Sequence, residues 1–427
     1  MQLFGTSGIR RLADSNLVEL ALQVGLAVGT MYDNVVVGRD TRTSGPALLH
    51  AATSGLLTTG ARCKDAGVLP TPSVAYAARE FQTGIVITAS HNPPQYNGIK
   101  LLNPDGSAFS PDQQKQVEDM VGGVNPVSSQ WDRMQPGESY NIAIEKHVER
   151  IKQDFPDNLR LKVVVDCGCG AAYYITPYLL RSLGCSVITL NGYPSGIFPH
   201  DIEPIEANLD ELMQAVRDSG AALGIAHDGD ADRMMAVDDK GRFIPGDKML
   251  AILARDSGSK DIVTTLDASL NIEEMGFKVR RTPVGDPYVS EELKKGGGFG
   301  GETSGAWVFP QISLCPDGIY AAARIASVAS REQLSVLVDS LPSYPLLRGS
   351  ILGDRANVEK AKDRLMARLK PVSMDTLDGL KLNFKDGWLL VRPSGTEPKI
   401  RITAEARSEA AARKYYESSV KIIEGAR

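Results

Sequence analysis

The chain has 427 residues and a mass of 46.0 kDa, more than one hydrophobic core comfortably serves, so two to four domains are expected. With 42% hydrophobic and 23% charged residues, a net charge of −5 and a pI near 5.7, the composition is that of a globular protein rather than a general binder of nucleic acid or anionic membranes. No window approaches the roughly 20 apolar residues of a membrane span, and Met1 to Arg10 lacks a basic region followed by an apolar stretch, so no signal peptide is expected and the location is read as cytoplasmic.

Helical and strand patterns alternate through about the first 340 residues, which predicts α/β layers. The first β-branched run, Val35-Val36-Val37-Gly38-Arg39-Asp40, ends in Asp. A second apolar run, Ile85-Val86-Ile87, reads as a buried strand that breaks into the loop Thr88 to Lys100. Asn92-Pro93-Pro94 forbids a helix there, because Pro disfavours the α region for the residue before it and has no N–H to donate. The Ser90 hydroxyl is thus presented on a stiff turn, with His91 beside it and Lys100 ten residues on. That makes Ser90 a candidate nucleophile or phosphoryl carrier, with an ordinary Ser/Asn/Pro turn as the competing reading.

Ser128 to Gly137 breaks the pattern, and a helix-like stretch around Ile142 to Phe155 leads into a second unit. Its run Val163-Val164-Val165-Asp166 is followed by Cys167-Gly168-Cys169-Gly170, which has neither G-x-G-x-x-G spacing nor a zinc-site pattern. The five cysteines are odd in number and sparse, as suits thiols in a reducing compartment. After the apolar Ala222 to Ala226 come Asp228-Gly229-Asp230-Ala231-Asp232-Arg233. Carboxylates at i, i+2 and i+4 on an extended loop can converge on one hard cation, Mg²⁺ or Ca²⁺. A calcium EF-hand loop is excluded, because its sixth and twelfth positions would be Arg233 and Asp239 instead of Gly and Glu. Arg233 beside the acidic group hints that an anion shares the metal. Asp238 to Gly241 reads as a closing turn.

A third unit repeats the theme with Ile262 to Asp267 and the loop Gly300-Gly301-Glu302-Thr303-Ser304-Gly305, whose carboxylate and hydroxyl suit the reading of sugar hydroxyls. Pro342-Ser343-Tyr344-Pro345 separates a last segment with helical stretches at Asn357 to Leu369 and from about Glu409. Between them Arg392-Pro393-Ser394-Gly395-Thr396-Glu397-Pro398-Lys399-Ile400-Arg401 looks like an anion cradle. Gly395 would let backbone approach, Ser394 and Thr396 offer hydroxyls, and Arg392 and Arg401 offer forked donors matched to phosphate. Three runs ending in Asp, each followed by a second run and a polar loop, form a faint internal repeat of three similar α/β units.

Together with the opening Gly5-Thr6-Ser7-Gly8-Ile9-Arg10, these loops resemble the α-D-phosphohexomutase superfamily over essentially the whole chain. The resemblance implies three similar α/β domains and a smaller C-terminal α+β domain, TATA-box-binding-protein-like, around a central cleft. Residues 1–137 would carry the phosphoserine loop, 138–240 the metal loop, 241–342 the sugar-recognition loop and 343–427 the phosphate-binding loop. Ser90 matches the phosphorylated serine. Asp228, Asp230 and Asp232 match the ligands of one Mg²⁺ per chain, completed by a phosphoserine oxygen. Lys100 matches the proposed general base, with His91 nearby, while Arg10 and Arg233 match contacts to the transferring phosphoryl group. Glu302 and Ser304 match sugar-hydroxyl readers. Arg392, Ser394, Gly395, Thr396 and Arg401 match the anchor for the non-reacting phosphate.

The implied reaction interconverts the 6- and 1-phosphates of a hexose through phospho-Ser90 and a hexose 1,6-bisphosphate. Glucosamine is the favoured sugar, and mannose or glucose the alternatives. Its only expected partner is the small sugar phosphate, in a monomer or homodimer. A Mg²⁺-dependent sugar phosphatase and a non-catalytic sugar-phosphate binder are the readings from other classes. Three carboxylates, Mg²⁺ and a phosphoserine of about −2 sum to roughly −3, which Arg10, Arg233 and Lys100 can offset. Neighbouring cations are expected to lower the Lys100 pKa so that it can accept a proton. Two departures bear on the sugar: Ala306 stands where many members have His, and Pro287 where a basic residue is common.

Overall fold

The computed structural model describes residues 2–123, 128–393 and 398–426. Four sheets lie along the chain. The first contains β1 (Ile9–Leu12), β2 (Asn34–Arg39), β3 (Arg62–Val68), β4 (Thr83–Ile87), β5 (Tyr96–Leu102) and β6 (Glu138–Ser139), in the order β1-β5-β4-β2-β3-β6. The second contains β7 (Lys162–Asp166), β8 (Ser186–Leu190), β9 (Leu223–His227) and β10 (Met234–Val237), ordered β10-β9-β7-β8. The third contains β11 (Asp261–Thr265), β12 (Lys278–Thr282), β13 (Phe299–Gly301) and β14 (Trp307–Val308), ordered β12-β11-β13-β14.

One plan underlies all three. Counted from the first parallel strand of each unit (β2, β7, β11), the first strand lies between two parallel neighbours, and a fourth strand runs antiparallel on the outer side of the third. Parallel strands with helical crossovers are buried on both faces, which is why these strands read as continuous β-branched runs. Val35 to Val37, Val163 to Val165, and Ile262 with Val263 are fully buried. The loop from the third strand to the fourth emerges at the same place in each unit. Those loops hold Ser90, Asp228 to Arg233, and Glu302 to Ser304. The faint repeat in the sequence is therefore a repeat of topology, with one polar loop displayed per unit.

The fourth sheet differs. β15 (Leu346–Leu352), β16 (Ser373–Asp375), β17 (Leu380–Asn383), β18 (Gly387–Pro393) and β19 (Lys399–Ala406) pair antiparallel in the order β15-β19-β18-β17-β16. Helices Arg355–Leu369 and Glu409–Glu424 pack on it. Asp354 caps the first by accepting from the Asn357 N–H at 3.0 Å, and Ser408 caps the second. This domain meets the third through buried Trp388, Leu390 and Leu266. Two polar contacts tie the same seam: Lys381 Nζ donates to Leu266 O at 2.6 Å, and Glu405 Oε1 accepts from Ser269 Oγ at 2.8 Å. Burial pushes the Lys381 ammonium down to about 7.

All five cysteines are unpaired. Among the described residues no helix is long and apolar enough to cross a membrane.

Candidate active site

Ser90 lies three residues past the end of β4 and has φ 52, a left-handed conformation uncommon for a residue with a Cβ. Its N–H donates to Thr88 Oγ1 at 2.9 Å, and its hydroxyl, almost fully buried, donates to Asp228 Oδ2 at 2.7 Å. The second unit's loop can come this close because residue 229 is Gly: a Cβ there would lie 2.6 Å from Ser90 O. His91 Nδ1 lies 3.3 Å from Ser90 Oγ. Burial, then Arg233 and Arg10, push its pKa down to about 2, so the imidazole is neutral. Arg10 donates to Asn92 Oδ1 at 3.1 Å, which places its guanidinium at the rim of the same loop.

Asp228, Asp230 and Asp232 each present a carboxylate oxygen within 4.8 Å of the others, and all three residues are buried. Burial and mutual repulsion raise the pKa of Asp228 and Asp232. Asp230 is lowered despite its burial, because Lys100 and Thr71 both donate to it. Lys100 Nζ lies 2.7 Å from Asp230 Oδ2 and 2.5 Å from Asp232 Oδ2, and Thr71 Oγ1 lies 2.5 Å from Asp230 Oδ2. Asp230 Oδ1 is buried and has no hydrogen-bond partner among the described residues. A buried carboxylate oxygen left without a donor, within an all-oxygen set, fits a hard divalent cation. Asp228, Asp230, Asp232 and Ser90 are thus a chemically suitable group for Mg²⁺.

The expectation for Lys100 needs correction. Burial and Arg10 do lower its pKa, but the two carboxylates against it outweigh them and raise it above the ordinary lysine range. With Asp230 and Asp232 as its partners, Lys100 is an ammonium, and it can act as a base only after those anions are otherwise engaged.

The second and third loops are joined edge to edge. Arg233 and Ala306 form a β-bridge, Met234 N–H donates to Gly305 O at 3.0 Å, and Trp307 Nε1 donates to Met234 O at 2.7 Å. Ala306 is buried in this seam. Arg233, partly buried, is held charged by Asp228, Asp232 and Glu302. Glu302 Oε1 accepts from the Gly285 N–H at 2.7 Å. Burial, followed by Asp286, pushes its carboxyl up to about 8. Ser304 Oγ sits 3.5 Å from Glu302 Oε2. Pro287 occupies the first turn of the helix Asp286–Leu293, a position where a missing N–H costs nothing.

The fourth domain approaches through Asp378. Its Oδ2 accepts from Arg392 at 3.0 Å and from the Val284 N–H at 3.0 Å, one residue before the glycine that binds Glu302. Arg401 lies directly opposite Arg392 across β18 and β19, so the two side chains share a face. Ser394, Gly395 and Thr396 lie outside the described residues.

The structure therefore brings Ser90, His91, Lys100, Arg10, the three Asp and Arg233 into one cluster, with Glu302 and Ser304 beside it and Arg392 reached through Asp378. Sequence reasoning missed Thr71 and Asp378, and also Asp40 and Arg42, an ion pair at 3.0 Å whose guanidinium donates to Ser90 O at 2.8 Å. Asp40 was visible only as the end of a strand. The Asp-x-Arg spacing that follows β2 was the available signal for Arg42.

Models of the phosphoglucomutase/phosphomannomutase family match the chain in four consecutive parts: alpha/beta/alpha domain I at residues 1–125, domain II at 138–241, domain III at 245–344 and the C-terminal domain at 354–421. A probable phosphoglucosamine mutase of Methanocella arvoryzae is 48% identical over 441 aligned positions, covering 99% of this chain and 98% of that one. A phosphoglucosamine mutase of Methanococcus aeolicus is 40% identical, covering 99% and 98%. Among solved structures, a phosphoglucomutase/phosphomannomutase family protein of Burkholderia thailandensis superposes with a TM-score of 0.89 at 29% identity, covering 99% of this chain and 97% of that one.

Proposed function

The chain belongs to the phosphoglucomutase/phosphomannomutase family and is a phosphohexose mutase, and from that premise we propose that it interconverts glucosamine 6-phosphate and glucosamine 1-phosphate through a phosphorylated Ser90. The sugar follows from the relatives at 40% to 48% identity, whose names state phosphoglucosamine mutase. The observation that carries the mechanism is the Ser90 hydroxyl at 2.7 Å from Asp228 Oδ2, beside a carboxylate triad with one orphaned oxygen.

In this reading phospho-Ser90 gives its phosphoryl group to the free hydroxyl of a bound hexose phosphate. The bond from phosphorus to Ser90 Oγ breaks as the bond to the sugar oxygen forms; Lys100, its own proton released to solvent once Asp230 and Asp232 are otherwise engaged, takes the proton of the sugar hydroxyl, and the freed Ser90 Oγ takes one from solvent. Arg10 and Arg233 balance the charge on the equatorial oxygens. The 1,6-bisphosphate then turns end for end, and its other phosphate returns to Ser90 Oγ, whose hydroxyl proton goes back to solvent, while Lys100 gives its proton to the sugar oxygen set free. Arg392, set by Asp378, would hold whichever phosphate is not reacting, and Glu302 would read the sugar hydroxyls. Mg²⁺ held by Asp228, Asp230 and Asp232 would polarise the phosphoryl group and neutralise the carboxylates that keep Lys100 protonated.

The test is a side-by-side kcat/KM comparison of glucosamine, mannose and glucose phosphates with catalytic hexose 1,6-bisphosphate. Preference for the amino sugar by at least tenfold supports the reading. Equal or better turnover of mannose or glucose phosphate would assign the chain to a different sugar.

A further inference from the structure

Arg42 takes no part in the chemistry above, yet it is almost fully buried and uses every donor it has. Its Nε donates to Asp40 Oδ2 at 3.0 Å. One terminal nitrogen donates to Pro93 O at 2.8 Å and Tyr96 O at 3.0 Å, and the other to Ser90 O at 2.8 Å and Asn92 O at 2.6 Å. An arginine has five N–H donors in one plane, so none is left for a phosphate. Four of the five acceptors are backbone carbonyls: those of Ser90, Asn92 and Pro93 in the loop that displays Ser90, and that of Tyr96 at the start of β5.

Residues 88–95 are neither helix nor sheet, and the buried carbonyl of Ser90 would be costly to leave without a donor. Asp40 completes the brace from the other side. Its Oδ1 accepts from the Arg42 N–H at 2.9 Å, and its Oδ2 accepts from Thr88 Oγ1 at 2.7 Å, the hydroxyl that receives the Ser90 N–H. Ser90 is thus gripped at its N–H through Thr88 and at its carbonyl through Arg42, which fixes both flanks of a residue in the left-handed region. The second domain closes over this fork. The Phe198 ring lies 5.0 Å from the Arg42 guanidinium, Thr41 Oγ1 donates to Cys169 O at 2.8 Å, and Gly196, at φ +70, packs on the backbone of Thr41 and Arg42.

We propose that Arg42 is the positioning residue of the phosphoryl transfer: with Phe198 stacked on it, it holds the Ser90 backbone in the one conformation that aims Oγ at Asp228. The inference rests on the reading of Ser90 as the phosphoryl carrier. A residue acting this way should affect the rate of transfer and not the hold on the sugar phosphate.

The test uses Arg42→Lys in the full chain. Lysine keeps a positive charge beside Asp40, but its three rotating donors cannot span four carbonyls in one plane. Misplacing a reacting atom by about 1 Å costs on the order of 100-fold. The expected result is a kcat about 100-fold lower at a KM within about twofold of wild type. Rephosphorylation of Ser90 by hexose 1,6-bisphosphate, followed by intact mass, should slow by the same factor. A wild-type kcat, or a raised KM at unchanged kcat, would overturn the proposal. Should Arg42→Lys not fold, Phe198→Leu decides, because it removes only the stacked ring. A kcat three- to tenfold lower, about what loss of a cation–π contact implies, at unchanged KM supports the proposal, and an unchanged kcat overturns it. Ser90→Ala measured in parallel separates the two claims. An active Ser90→Ala removes the premise, whereas an inactive Ser90→Ala beside a fully active Arg42→Lys removes this inference alone.

Discussion

Ser90 Oγ donates to Asp228 Oδ2 at 2.7 Å although 138 residues separate them in sequence. The contact crosses from the first α/β unit to the second, and it exists because the two units display their loops at the same topological place. Replacing Ser90 with Ala removes one hydrogen bond to a buried carboxyl, a cost of about 1–3 kcal/mol, and leaves β4 and β5 unaltered. Ser90→Ala is expected to unfold cooperatively within a few degrees of wild type and to show no mutase turnover. Intact-mass measurement should find one phosphoryl group on a fraction of the wild-type protein and none on the variant. Normal turnover by Ser90→Ala would remove the phosphoserine mechanism.

The orphaned Asp230 Oδ1 leads to a second prediction. A ligand that binds only the folded state stabilises it, by about 2.7 kcal/mol at a hundredfold excess over Kd. Mg²⁺ should therefore raise the Tm of the wild-type chain, EDTA should reverse the shift, and EDTA should stop turnover. In Asp230→Asn the site keeps its shape but loses one anionic oxygen pair, so the Mg²⁺-dependent shift should largely vanish. A shift as large in Asp230→Asn as in wild type would exclude Asp230 as a ligand.

How much of this was legible beforehand varies with the physical range of the interaction. The strands at Val35, Val163 and Ile262 were readable because burial on both faces writes itself as a continuous β-branched run. The Asp228 to Arg233 loop was readable because its carboxylates alternate within six residues. Arg42 was not, because its meaning lies in four carbonyls about 50 residues away that no side-chain pattern encodes. Lys100 was read with the wrong sign for the same reason. Its cationic neighbours stand in recognisable motifs, while the two carboxylates that outweigh them reach it only through folding, across 130 and 132 residues.

Glu302 gives a prediction in pH. Its carboxyl is pushed up to about 8 by burial and by Asp286, so it is protonated below that pH and ionised above it. Gln imitates the protonated form, which accepts at one atom and donates at the other. Glu302→Gln should therefore retain most of the wild-type kcat/KM at pH 7, whereas Glu302→Ala should lose about tenfold, as expected for a lost substrate hydrogen bond. The pH profile of kcat/KM reports groups of the free enzyme. Wild type should show a step near 8 that Glu302→Gln lacks. A step of equal size in both would assign the titration to another group.

Arg392 is oriented before any phosphate arrives. Asp378 Oδ2 accepts both from its guanidinium and from the Val284 N–H, so the arginine is held against the third domain next to the backbone that binds Glu302. In the proposed mechanism a single anchor placed this way would meet the non-reacting phosphate in both orientations of the sugar, because the intermediate turns while the anchor stays fixed. Arg392→Ala should raise KM for the 1-phosphate and the 6-phosphate alike, by about ten- to a hundredfold, the range for a hydrogen bond to a charged group. Asp378→Asn retains the guanidinium but loosens its aim, and should raise both values by a smaller factor. Measuring KM in both directions for the two variants decides the matter: a change confined to one isomer would mean that the two phosphates are held by different residues.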